Sequence, residues 1–112
     1  MIFVTGPLFG GKREYLQKVL GLSLEELSAR AAFDVEELAA GEEPLEELAL
    51  RLSQFDFVTA NEVGCGVVPV EAEQRRFRER AGRLSCLLAQ RADTVIRVCC
   101  GLPQVLKGEW EC

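Results

Sequence analysis

The 112-residue sequence predicts an α/β domain: a mainly parallel sheet flanked by helices. Three observations carry this. Short apolar runs at Ile2–Thr5, Phe55–Ala60 and Thr94–Cys100 have the composition of buried strands. Stretches with helical periodicity and helix-start signals separate them. The first run breaks into glycine-rich sequence that opens a helix, the arrangement by which parallel sheets hold ligands at the carboxyl ends of their strands. The length is enough for one domain, so residues 1–112 are expected to form a single unit.

The elements follow in order. Ile2-Phe3-Val4-Thr5 is the first strand, and Gly6–Gly11 interrupts it. Lys12–Leu20 places Tyr15, Leu16, Val19 and Leu20 on one helical face, and Gly21 suits the helix end. Ser23 with Glu26 forms a capping box for a second helix. Ala31-Ala32-Phe33 reads as a short strand, Asp34 as a helix N-cap in preference to a metal-binding acid at the strand end, and Gly41 as a stop. Pro44 fits the first turn of a helix carrying Leu45, Leu48, Ala49 and Leu52. The glutamate pairs 25/26, 36/37, 42/43 and 46/47 read as solvated helix faces. After the Phe55–Ala60 strand comes a glycine-punctuated loop, Asn61–Gly66, then Val67-Val68-Pro69 and the longest helix, Glu71–Arg91. Thr94–Cys100 is a buried strand, Gly101-Leu102-Pro103 a turn, Gln104–Lys107 a short edge strand and Gly108–Cys112 a frayed tail.

Composition narrows the function. The net charge is −5, which disfavours a nucleic-acid partner or an anionic membrane surface. No run is long enough to span a bilayer. Five cysteines without a CxxC pair, and no secretory leader, predict reduced and mostly buried thiols in a cytoplasmic protein. The chain has no histidine, so a phosphohistidine or guanylyl-histidine intermediate on it is excluded.

Gly6-Pro7-Leu8-Phe9-Gly10-Gly11-Lys12 fits GxxxxGK, the front of a Walker A motif. Glycines let successive N–H groups face one anion, and the helix that follows adds its positive end. Lys12 supplies a full charge for the β- and γ-phosphates. The next residue should offer a hydroxyl to Mg²⁺ but is Arg13, which has no acceptor and suits a phosphate instead. The candidate phosphate-binding set is therefore Gly6, Pro7, Leu8, Phe9, Gly10, Gly11, Lys12 and Arg13, joined by Asn61 from the second loop. Glu62 follows a buried strand, where a carboxylate can orient a nucleophile or hold Mg²⁺ through water; the alternative is a turn in which Asn61 satisfies backbone groups. Arg75, Arg76, Arg78, Arg80 and Arg83 form a basic cluster read mainly as partners of nearby glutamates.

Longer segments carry a family resemblance. Phe3-Val4-Thr5-Gly6 leading to Gly11-Lys12, then Val58-Thr59-Ala60-Asn61-Glu62-Val63-Gly64-Cys65-Gly66-Val67-Val68-Pro69, resemble the adenosylcobinamide kinase/adenosylcobinamide-phosphate guanylyltransferase family. Arg76-Phe77-Arg78 with Ala81-Gly82-Arg83, and Gly101-Leu102-Pro103 with Leu106-Lys107, are similar to two further family segments. The resemblance covers the first 20 residues and about residues 56–107. It implies a RecA-like P-loop NTPase fold, reduced in size, with GTP or ATP as donor and adenosylcobinamide as acceptor. It also implies cobalamin biosynthesis and a homo-oligomer. Lys12 would neutralise the transferred phosphate, and Glu62 would orient the hydroxyl or the metal. The chain departs from the family in a shortened middle, in Arg13, in Ser85-Cys86, and in lacking the histidine that accepts GMP. That leaves the kinase half of the family's chemistry. The rival expectation is a catalytically degenerate nucleotide-binding, assembly or regulatory protein.

Overall fold

The structure, a computed structural model, describes residues 1–63 and 71–110. The second half of the glycine-punctuated loop (Gly64-Cys65-Gly66), Val67-Val68-Pro69 and the end of the tail lie outside the described residues.

Five strands form one sheet: β1 (Ile2–Gly6), β2 (Ala31–Ala32), β3 (Phe57–Asn61), β4 (Thr94–Cys99) and β5 (Leu102–Lys107). Their order is β2-β3-β1-β4-β5. The first four run parallel and β5 is antiparallel to β4. The helices are α1 (Lys12–Leu20), α2 (Leu24–Ser28), α3 (Leu45–Leu52) and α4 (Ala72–Arg91), with a 3₁₀ helix at Val35–Ala40.

Successive strand residues point to opposite faces, and β1 shows what this builds. Phe3 packs with Val58, Val95, Leu48, Leu84 and Leu88 in a core under the 3₁₀ helix, α3 and α4. Val4 packs with Leu16, Leu27, Phe57, Ile96 and Val98 under α1 and α2. A central strand covered on both faces must be apolar throughout, as Ile2-Phe3-Val4 is. The chain leaves β1 toward β2 and β3 on one side, and β4 joins on the other, so a crevice opens at the carboxyl end of β1.

Local signals act largely as read. Ser23 and Glu26 make both capping-box hydrogen bonds, and Gly21 ends α1 in the left-handed region at φ 67. The Lys107 ammonium donates to the carbonyls of Ala89 and Gln90 at 3.0 Å each, closing the C-terminal end of α4.

The structure corrects several expectations. β3 starts at Phe57, because Phe55 lies in the turn after α3 and is exposed. The β4–β5 turn is Cys100-Gly101, and Leu102-Pro103 belongs to β5. Pro103 is tolerated there because β5 is an edge strand. Trp110 is not frayed: its indole N–H donates to the Tyr15 hydroxyl at 2.8 Å. Glu36 is buried, unlike the other described members of the glutamate pairs. The three described cysteines are not buried: Cys86 and Cys100 are exposed and Cys99 is half-buried.

Candidate functional site

The Gly6–Gly11 loop curls at the carboxyl end of β1. Its two inner glycines are fixed by crowding. A Cβ on Gly6, at φ 153, would lie 2.1 Å from the Val98 carbonyl oxygen; one on Gly10 would lie 2.8 Å from that oxygen and 2.9 Å from the Pro7 oxygen. Only glycine lets the loop pass this close to β4. The Gly10 amide donates to the Pro7 carbonyl at 2.9 Å, tightening the curl. Phe9 sits at the tip at φ 62 and is 94% exposed. Gly11, at φ 85, occupies the N-cap of α1 and supplies no side-chain cap, so the first-turn N–H groups of α1 receive no bond from that residue.

Lys12 opens α1 and turns inward, only 6% exposed. Its ammonium donates to the Pro7 carbonyl at 2.9 Å, to the Gly6 carbonyl at 3.5 Å and to Asn61 Oδ1 at 2.6 Å. Burial pushes its pKa below the ordinary 10.5, while Asp34, Glu36, Glu62 and Glu14 pull it back up.

Asn61 joins this lysine to two carboxylates. It pairs with Gly6 across the parallel β1–β3 register. Its amide nitrogen Nδ2 donates to Asp34 Oδ1 and Glu36 Oε2 at 3.1 Å each, and its backbone N–H donates to Glu36 Oε1 at 2.9 Å. Asp34 occupies the N-cap position of the 3₁₀ helix, at φ 54, but its carboxylate does not cap. It accepts from Arg13 Nη2 at 2.6 Å, and its backbone N–H donates to Thr59 Oγ1 at 3.1 Å. The Arg13 guanidinium also lies 4.6 Å from the centre of the Phe33 ring. Arg13 is therefore committed to Asp34 and Phe33 rather than aimed into the loop.

Glu62 follows on β3's end, its N–H donating to the Gly6 carbonyl at 2.8 Å. Two guanidinium nitrogens of Arg97, from β4, bond its carboxylate. This hydrogen bond and the carboxylate's charge raise Arg97's pKa above its ordinary value. Thus Lys12, Arg13, Asn61 and Glu62 come together with the loop glycines. Asp34, expected mainly as a helix N-cap, joins them with Glu36, Thr59 and Arg97, which had not been singled out from the sequence as site residues. The signal for Glu36 was available only as a carboxylate four residues past the end of β2. For Arg97 it was a charge inside an otherwise apolar strand.

Leu8, Gly11, Lys12, Arg13, Asp34, Thr59 and Asn61 are among the residues lining a cavity of about 280 Å³. A larger groove of about 880 Å³ runs between α3 and α4 past Arg75, Arg78 and Arg83. Arg80 is spent on the carbonyls of Ala39 and Glu43, and Arg76 lies 3.8 Å from Glu42. The smaller cavity holds the converging polar groups, and size alone does not mark a site. The residues present do not offer Mg²⁺ the usual loop hydroxyl. Among the described residues no group of three Asp, Glu or Cys side chains converges for a metal.

A model of the cobinamide kinase / cobinamide phosphate guanyltransferase family (CobU) matches residues 27–106. The chain belongs to this family. The match takes in β2 through β5, with Asp34, Glu36, Asn61, Glu62 and Arg97, and begins beyond the Gly6–Arg13 loop. The chain is also 37% identical over 76 residues to a curated protein, the bifunctional adenosylcobalamin biosynthesis protein CobP of Pseudomonas aeruginosa. That alignment covers 68% of this chain and 44% of CobP, so the chain spans less than half the length of this relative.

Proposed function

We propose that the Gly6–Lys12 loop binds the phosphates of GTP or ATP and that the chain acts as a cobinamide-kinase-like protein in cobalamin biosynthesis, with adenosylcobinamide as acceptor. The observation that carries this is the Lys12 ammonium, held at the loop by two backbone carbonyls and Asn61. Each of these is a neutral acceptor, and a phosphate oxygen is a stronger, charged one. Lys12 can therefore exchange carbonyls for phosphate without moving out of the loop. The glycines supply curvature, and the first turn of α1 supplies N–H groups and a positive dipole end. Asn61 keeps Lys12 aligned, because its amide is itself fixed by Asp34 and Glu36. In this reading Glu62 orients the acceptor hydroxyl and Arg97 positions Glu62. Guanylyl transfer through a histidine is not expected of this chain, which has none. A cytoplasmic homo-oligomer completes the proposal; sedimentation velocity over a range of concentrations tests its assembly.

The deciding experiment combines calorimetry with turnover. Wild-type protein should bind GTP or ATP and phosphorylate adenosylcobinamide with Mg²⁺ present, and Lys12→Ala should lose both. Nucleotide binding without transfer above the Lys12→Ala background would reject the kinase and retain the loop. No binding of any nucleotide would reject both.

One observation favours a second reading, a nucleotide-binding or regulatory member without catalysis. Glu62 is tied by its carboxylate to Arg97, and Arg13 is tied to Asp34, so neither group that the transfer would use is at liberty. Unchanged nucleotide affinity on removing Mg²⁺, together with no turnover, supports this second reading.

A further inference from the structure

The β4–β5 turn carries two adjacent cysteines that the phosphate chemistry does not use. Cys99 ends β4, Cys100 stands at φ 54 and Gly101 at φ 73. Left-handed residues at both central positions make the tight hairpin turn that favours Asn, Asp and Gly. Cysteine at the first of them is held there against its backbone preference.

The two sulfurs lie 4.0 Å apart. Neighbouring Cα atoms are about 3.8 Å apart across a trans peptide, whereas relaxed disulfides need roughly 4.4–6.8 Å. A Cys99–Cys100 disulfide would therefore be strained and easily reduced. Chelation has no such conflict. Thiolates sit about 2.3 Å from a tetrahedral d¹⁰ cation, so two of them on one ion lie roughly 3.8 Å apart. The observed spacing is within a few tenths of an ångström of that.

Arg97 lies one pleat back on the same face of β4, and its guanidinium reaches the Cys99 sulfur as well as Glu62. Its pairing with Glu62 removes the net positive charge that would repel a cation. Access is open, since Cys100 is exposed and Cys99 half-buried.

We propose that Cys99 and Cys100 form a two-thiolate site for a single soft, thiophilic d¹⁰ cation. Binding makes two sulfur–metal bonds and releases the two thiol protons to solvent, with no change of oxidation state. The site adjoins the phosphate loop, because the Gly101 amide donates to the Gly10 carbonyl at 2.9 Å. It does not depend on the nucleotide reading.

The test uses the reduced full chain with Cys65→Ser, Cys86→Ser and Cys112→Ser, titrated with Cd²⁺ alone. The expected result is one Cd²⁺ per chain by native mass spectrometry and a sulfur-to-metal charge-transfer band in the ultraviolet. Both should vanish on adding Cys99→Ser or Cys100→Asn. The Asn variant suits the turn and guards against loss through misfolding, which circular dichroism checks. Absence of a bound ion in the parent, or an undiminished band in either further variant, overturns the proposal.

Discussion

Lys12 carries a positive charge where water scarcely reaches it, and neutral acceptors and nearby carboxylates keep it there. The charge has a pH signature. Burial lowers its pKa from 10.5, so between the folded value and 10.5 the unfolded chain holds a proton that the folded chain has lost. In that window the residue's contribution to stability rises with pH, and its cost is fully present below the folded value. Phosphate binding needs the opposite, the charged form. Nucleotide affinity should therefore fall by about tenfold per pH unit above the folded value, beginning below 10.5. Calorimetric titration at increasing pH checks this, and a decline beginning only at 10.5 would contradict it. Asn61 and Glu36 were harder to read in sequence than Lys12. The Glu36-Glu37 pair looks like a solvated face, yet the 3₁₀ helix turns one carboxylate inward and leaves the other exposed.

Among elements, the glycines separate by what surrounds them rather than by motif. Gly10 packs against two carbonyl oxygens, whereas a Cβ on Gly82, in the interior of α4, would meet nothing within 4 Å. Gly10→Ala should destabilise by about 1–3 kcal/mol through overpacking. Gly82→Ala should stabilise by about 0.5–1 kcal/mol, because alanine loses less backbone entropy in a helix. Urea denaturation midpoints of the two variants should move in opposite directions. Most elements were legible from local chemistry: the capping box at Ser23, the Gly21 stop, and the apolar stripe Leu45, Leu48, Ala49 and Leu52, which is buried in α3. The errors came where pairing decides. Phe55 has strand composition but lies beyond the register that joins Phe57 to Ile2. Gly101-Leu102-Pro103 has turn composition, but Leu102 and Pro103 pair with Cys99 and Val98. Asp34 has cap composition, but Arg13 and Asn61, distant in sequence, claim its carboxylate. The loop residues were visible in order, while the network that holds Lys12 was not, because it forms between elements.

For the whole molecule, a ligand on the loop touches the centre of the sheet. β1 lies between β3 and β4, and the residues facing Lys12 come from β2's exit, β3's end and α1. Nucleotide at about 100 times its Kd should stabilise the fold by about 2.7 kcal/mol, several degrees in melting temperature for a domain of this size. Differential scanning fluorimetry with GTP and ATP measures it, and Lys12→Ala should show no shift. No helix among the described residues is long and apolar enough to cross a membrane. The antiparallel hairpin also sets an order of assembly. β4 and β5 are joined by two residues, whereas β1 must find β4 across the register Ile2 to Thr94. Closing the short loop costs far less chain entropy than closing the long one. The hairpin can form within microseconds, ahead of the central parallel pairings. The loop glycines rest on the Val98 carbonyl of that hairpin, so they take their curvature from a surface already made. On this view the Gly6–Gly11 loop is among the last parts of the molecule to acquire its shape.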